Sequence, residues 1–86
     1  MPVSSMDVVE RIARVIAGRV LSANAEGEDA SASAEVDRAW MDYRDDAVAI
    51  LKTLREPDPL MARAGDLATW QRMIEVALDE AAAPTL

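Results

Sequence analysis

Between Val36 and Leu54 the apolar residues Val36, Trp40, Tyr43, Ala47, Ile50 and Leu54 recur at intervals of four, three, four, three and four. Such spacing gathers side chains on one side of a helix, where 3.6 residues complete a turn. Ala39 and Leu51 widen the stripe. The pattern predicts a single helix with Ser33 as N-cap and Glu35 in its first turn. Running to about Arg55, it would be roughly 33 Å long at 1.5 Å per residue. Pro57 disfavours helical geometry at Glu56 and ends it. A chain committed to this element builds its fold from helices packed on that stripe.

Two more helices follow from the same reasoning. Met6, Val9, Ile12, Ala13, Ile16 and Val20 mark a first helix from about Met6 to Leu21. Ser4 is its expected N-cap, with Asp7 completing a capping-box-like pair. Gly18 weakens its last turns by up to ~1 kcal/mol relative to alanine. Beyond Pro57, Asp58 and Pro59 read as the N-cap and first residue of a short connector helix. Gly65 is expected to close it in the left-handed conformation, and Asp66 to cap a last helix. That helix buries Leu67, Trp70, Ile74, Ala77, Leu78 and Ala81, while Leu60 and Met61 plug the bundle end. Ser22 to Ala34 carries Glu26, Glu28 and Asp29, no base and no large apolar residue, and reads as a flexible acidic loop. The expectation is one all-α domain over residues 1–86. It is a small three- to four-helix bundle with a short connector helix, packed around Trp40 and Trp70.

Composition narrows the chemistry. The chain has no cysteine and no histidine. It therefore lacks disulfides, ordinary zinc ligands, Cys/His or Ser/His nucleophile pairs and the usual neutral-pH base. A non-enzymatic protein without cofactor or metal is expected. Sixteen acids against nine bases give a net charge of −7. That charge argues against direct nucleic-acid binding and against an anionic membrane surface. No apolar run approaches the ~20 residues of a spanning helix. "MPVSSMDVVE" has neither the basic nor the apolar region of a signal peptide, so the expected location is the cytoplasm of the cell that makes it.

Asp42, Asp45 and Asp46 lie at i, i+3 and i+4 on the solvent side of the second helix. So placed, they form either an acidic contact surface or a solvated face balanced by Arg38 and Lys52. A calcium loop would instead alternate its ligands around a glycine bend. Arg11 and Arg14 on the first helix are too few for a phosphate-binding strip, and Glu10 is placed to pair with Arg14 at i+4. Apolar residues also occur outside the main stripes: Val8 and Val15 beside Ile12, Met41 and Val48 beside Arg44, and Met73 with Val76. A helix apolar on two sides has two neighbours, in the fold or in a partner. The expected partner-binding surface is Asp42, Asp45 and Asp46 with the adjoining Met41, Arg44 and Val48. The alternative is a homodimer closed by the second stripes of the first and last helices.

Trp40, Tyr43-Arg44, Ala47, "LKTLREP" (Leu51–Pro57), Met61, "AGD" (Ala64–Asp66) and "WQRMIEVAL" (Trp70–Leu78) form a recurring pattern. It resembles short uncharacterised proteins in phage and prophage regions of GC-rich, chiefly alphaproteobacterial, genomes. The resemblance leaves out the first helix and the acidic loop, and brings no catalytic residue with it. It implies a small protein that binds and blocks a host protein complex of defence or replication. Anti-CRISPR proteins offer the analogy.

Overall fold

A computed structural model describes residues 4–24 and 32–82 of the chain. The elements are α1 (Val8–Asn24), α2 (Ala32–Ala39), a 3₁₀ turn (Trp40–Tyr43), α3 (Arg44–Thr53), α4 (Pro59–Ala64) and α5 (Leu67–Ala82). Among the described residues there is no strand, so the fold is an all-α bundle with α4 as the short connector.

α1 is the element on which the others assemble: α2, the 3₁₀ turn, α3 and α5 all pack against it. Its buried stripe is Val9, Ala13 and Ala17, each four residues from the next. Facing it, α3 contributes Ala47 and Leu51, and α5 contributes Ile74 and Ala81. Ala13, Ala17 and Ala47 are fully buried, and such small side chains let helix backbones approach closely. Trp40 and Trp70 are half-buried and pack on the flanks of this cluster. The centre of the core is thus alanine-rich, and the two tryptophans border it, where the sequence places them at its middle.

Several boundaries differ from the sequence expectation. α1 begins at Val8, capped by Asp7, whose carboxylate accepts the backbone N–H of Glu10 at 2.7 Å. Ser4 instead accepts the N–H of Met6 in a local turn, so the cap sits three residues later than expected. α1 also runs on to Asn24, and α2 starts at Ala32, which places Ser33 inside the helix. The expected acidic loop therefore gives up both ends to helix, and its middle, residues 25–31, lies outside the described residues. Gly65 has extended backbone, φ −158° and ψ −167°, rather than a left-handed cap.

A further difference is internal. The expected single helix is broken by the 3₁₀ turn at Trp40–Tyr43. The sequence there supplies a second start: Asp45 and Asp46 stand in the first turn of α3, where negative charge is stabilised by the helix dipole. The break frees the register on its two sides. α2 packs on α1 and the 3₁₀ turn, whereas α3 lies against both α1 and α5. With two neighbours, α3 buries Ala47 and Leu51 and half-buries Arg44 and Val48. Ile50 and Leu54, expected in the seam, are left exposed.

The remaining caps follow the sequence. Asp58 accepts the N–H of Met61 at 2.9 Å with Pro59 first in the helix, and Asp66 accepts the N–H of Thr69 at 2.8 Å.

Candidate functional site

α4 has six residues, about one and a half turns, and none of them is buried. Leu60 is 73% exposed and Met61 43%, so neither plugs the bundle end. The reason is local. Pro57 and Pro59 stop the chain from continuing α3, and Asp66 starts a new helix two residues after Ala64. A helix this short cannot present a whole apolar face to the core, and it stands off α5 instead.

Between them runs an open groove of about 390 Å³, lined mainly by apolar atoms. Met61 and Ala64 form the α4 wall, and Leu67, Trp70 and Met73 form the α5 side. Trp70 is held in place by its indole N–H, which donates to the carbonyl of Leu54 at 2.7 Å. That bond also satisfies an acceptor at the end of α3, where carbonyls have no helical partner. The one ionisable side chain in the groove wall is Asp66. The Thr69 hydroxyl and backbone N–H both donate to its carboxylate, which holds its pKa below the ordinary 3.8. It is an anion at neutral pH with its bonding committed to the helix cap, so the groove offers shape and apolar contact rather than proton transfer.

Of the residues expected to bind a partner, Arg44, Asp45 and Val48 line one open groove, with Lys52, Glu75 and Leu78 beside them. Asp42 lies in the 3₁₀ turn, Asp45 and Asp46 open α3, and all three are exposed. Met41 is 66% exposed. Val48, however, packs half-buried on the core, and Arg44 reaches across to donate to the carbonyl of Ala81 near the end of α5. A cation there complements the negative end of that helix. Among the described residues no group of three or more acidic side chains is placed to hold a metal ion.

The arginines of α1 separate in the same way. Arg14 pairs with Glu10 at 2.8 Å, as the i+4 spacing predicts, and with Asp37 of α2 at 2.6 Å. Its guanidinium also lies 5.6 Å from the centre of the Trp40 ring. The Asp37 hydrogen bond, followed by that of Glu10, raises its pKa above the ordinary value. Arg14 thus ties α1 to α2 and the 3₁₀ turn.

Of the apolar residues outside the expected stripes, Val8, Ile12 and Val48 pack on the core, whereas Val15, Met41, Met73 and Val76 remain exposed. The Pro57–Met73 groove was not visible as a site in the sequence. Its signal was present in the closely spaced breakers Pro57, Pro59 and Gly65, which leave too little helix to bury Leu60 and Met61. Among the described residues no helix is long and apolar enough to cross a membrane. Compared with protein-family models, curated proteins and solved structures, neither the chain nor its fold finds a match.

Proposed function

We propose that this chain is a non-enzymatic protein–protein interaction module that takes an apolar element of its partner into the groove between α4 and α5. The observation that carries the reading is the cluster of Met61, Leu67, Trp70 and Met73 around one open groove, with Leu60 exposed beside it. Trp and Met are enriched at interfaces, and tryptophan is among the residue types most enriched at binding hot spots. The committed carboxylate of Asp66 and the absence of histidine and cysteine from the sequence favour binding over catalysis. In its finer form the proposal makes the partner a host defence or replication complex and the chain its inhibitor. That form rests on the resemblance of Trp40–Leu78 to phage and prophage proteins.

The test is capture of bound proteins from a GC-rich alphaproteobacterial lysate by the tagged full chain, its Met61→Asp/Leu67→Asp variant, and a variant with Asp42, Asp45 and Asp46 changed to lysine. Both replaced apolar side chains are exposed, so circular dichroism should report an intact fold. One stoichiometric protein held by the native chain and lost with the groove variant is the expected result. Retention by the groove variant, with loss on aspartate reversal, would move the contact to α3 and overturn the groove assignment. Capture of nothing by the native chain would overturn the inhibitor form.

A further inference from the structure

The outward face of α5 has the charge pattern of a surface that pairs with itself. Thr69, Arg72, Met73, Val76 and Glu80 recur at helical spacing, and all are exposed. They line one side of a second groove, about 770 Å³, whose other side is the start of α1 with Met6 and Arg11. Met73 is 62% and Val76 54% exposed, well beyond what the fold covers. Arg72 and Glu80 stand four residues to either side of Val76 on the same row. They are therefore about 12 Å apart along the axis, with opposite charges at equal distances from an apolar centre.

We propose that two copies of this chain associate through α5, antiparallel about a twofold axis at Val76. In that arrangement Val76 meets Val76, and Arg72 of each copy faces Glu80 of the other. One ion pair at a single position is thereby made twice, as a twofold interface requires. A parallel arrangement would set Arg72 against Arg72.

α1 provides the internal comparison. Its outward row is Arg11, Val15 and Arg19, likewise an exposed valine with charges four residues to either side. There the two charges are alike, so the same antiparallel pairing would oppose arginine to arginine. Of these two valine-centred rows, only the one on α5 is complementary to a copy of itself. The inward row of α5, with Trp70, Ile74, Leu78 and Ala81, packs on α3 and α1 and remains in place. The core also points the same way. Among the described residues seven hydrophobic side chains are buried and four of them are alanines, so covering Met73 and Val76 adds substantially to the apolar surface removed from water.

The test is the mass of the full chain by sedimentation equilibrium from about 1 µM to 1 mM, for the native protein, R72E, E80R and R72E/E80R. Both positions are exposed, and circular dichroism checks that each variant keeps its helices. The native chain is expected to move from monomer to dimer mass across this range. Each single reversal turns two attractions into two repulsions and should weaken association at least about tenfold. The double reversal restores both pairs and should return the dissociation constant to within about threefold of native. A native chain monomeric throughout would overturn the proposal. So would single variants that dimerise as well as native, or a double variant no better than the singles. None of these variants touches Met61 or Leu67, so failure here leaves the groove reading intact.

Discussion

The indole N–H of Trp70 donates to the backbone carbonyl of Leu54 at 2.7 Å, joining the first turns of α5 to the end of α3 across the corner that holds α4. Leu54 follows the last residue of α3, and its own N–H already bonds back to Ile50 and Leu51. One bond therefore sets the angle at which α5 leaves the corner and holds the ring that forms part of the groove. Trp70→Phe keeps an aromatic ring but removes the donor. The expected loss is about 1 kcal/mol, the net worth of one such bond, read from the urea midpoint at unchanged slope. No shift in the midpoint would mean that the ring alone fixes the corner.

The alanines at the α1–α3 contact make a separate prediction. Ala47 is fully buried against the α1 stripe, and a larger side chain there must push the helices apart. Ala47→Leu should cost about 1–3 kcal/mol by overpacking. Ala49, two residues on and exposed, is the control, and Ala49→Leu should stay within about 0.5 kcal/mol. Equal effects at both sites would contradict close packing of α1 on α3. Leu51→Ala, one turn along the same face of α3, tests the contact by removing volume instead, with an expected loss of about 2–5 kcal/mol.

Much of this fold is legible in the sequence, and what is legible is local. Asp58 and Asp66 fix helix starts through bonds to residues three positions away, and Pro59 does so through its fixed φ, so no knowledge of neighbours is needed. The Glu10–Arg14 pair is read by the same kind of spacing. What is not legible depends on which elements meet. The seam through Ile50 and Leu54 assumed one facing helix, and α3 has two. The break at Trp40–Tyr43 leaves the apolar periodicity almost undisturbed, because one 3₁₀ turn shifts spacing by less than a residue. Leu60 and Met61 look like core residues by composition, yet among the described residues no element reaches over α4 to cover them. Arg44 looked like surface and is half-buried because the end of α5 arrives beside it.

The two described glycines separate conformation from packing. At Gly18 an added Cβ would meet Val36 Cγ2 at 3.8 Å, an ordinary contact, within a helix that glycine weakens. Gly18→Ala should stabilise by up to about 1 kcal/mol. At Gly65 the backbone is extended and nothing lies within 4 Å of the new atom. Gly65→Ala should therefore be neutral or stabilising by up to about 1 kcal/mol, by restricting the unfolded chain. A left-handed cap would instead make that substitution clearly destabilising, so the sign of the change in melting temperature decides between the two geometries.

Asp66 gives the fold a pH-dependent element. Its folded pKa lies below the ordinary 3.8 because the Thr69 hydroxyl, and then the Thr69 backbone N–H, bond to the carboxylate. A group whose pKa falls on folding contributes stability that is fully present above its unfolded value. That contribution is lost as the pH falls through the folded one. Asp66 should therefore add nothing to the pH dependence between pH 6 and 8, and should steepen the loss of stability below about pH 4. Asp66→Asn keeps a good N-cap but cannot titrate. Melting curves from pH 2 to 7 should show the native chain losing stability faster than the variant on the acid side, so that the two curves converge as the pH falls. Parallel curves would mean that Thr69 does not hold the carboxylate in its charged form, and the cap that starts α5 beside the groove would have to be reassigned.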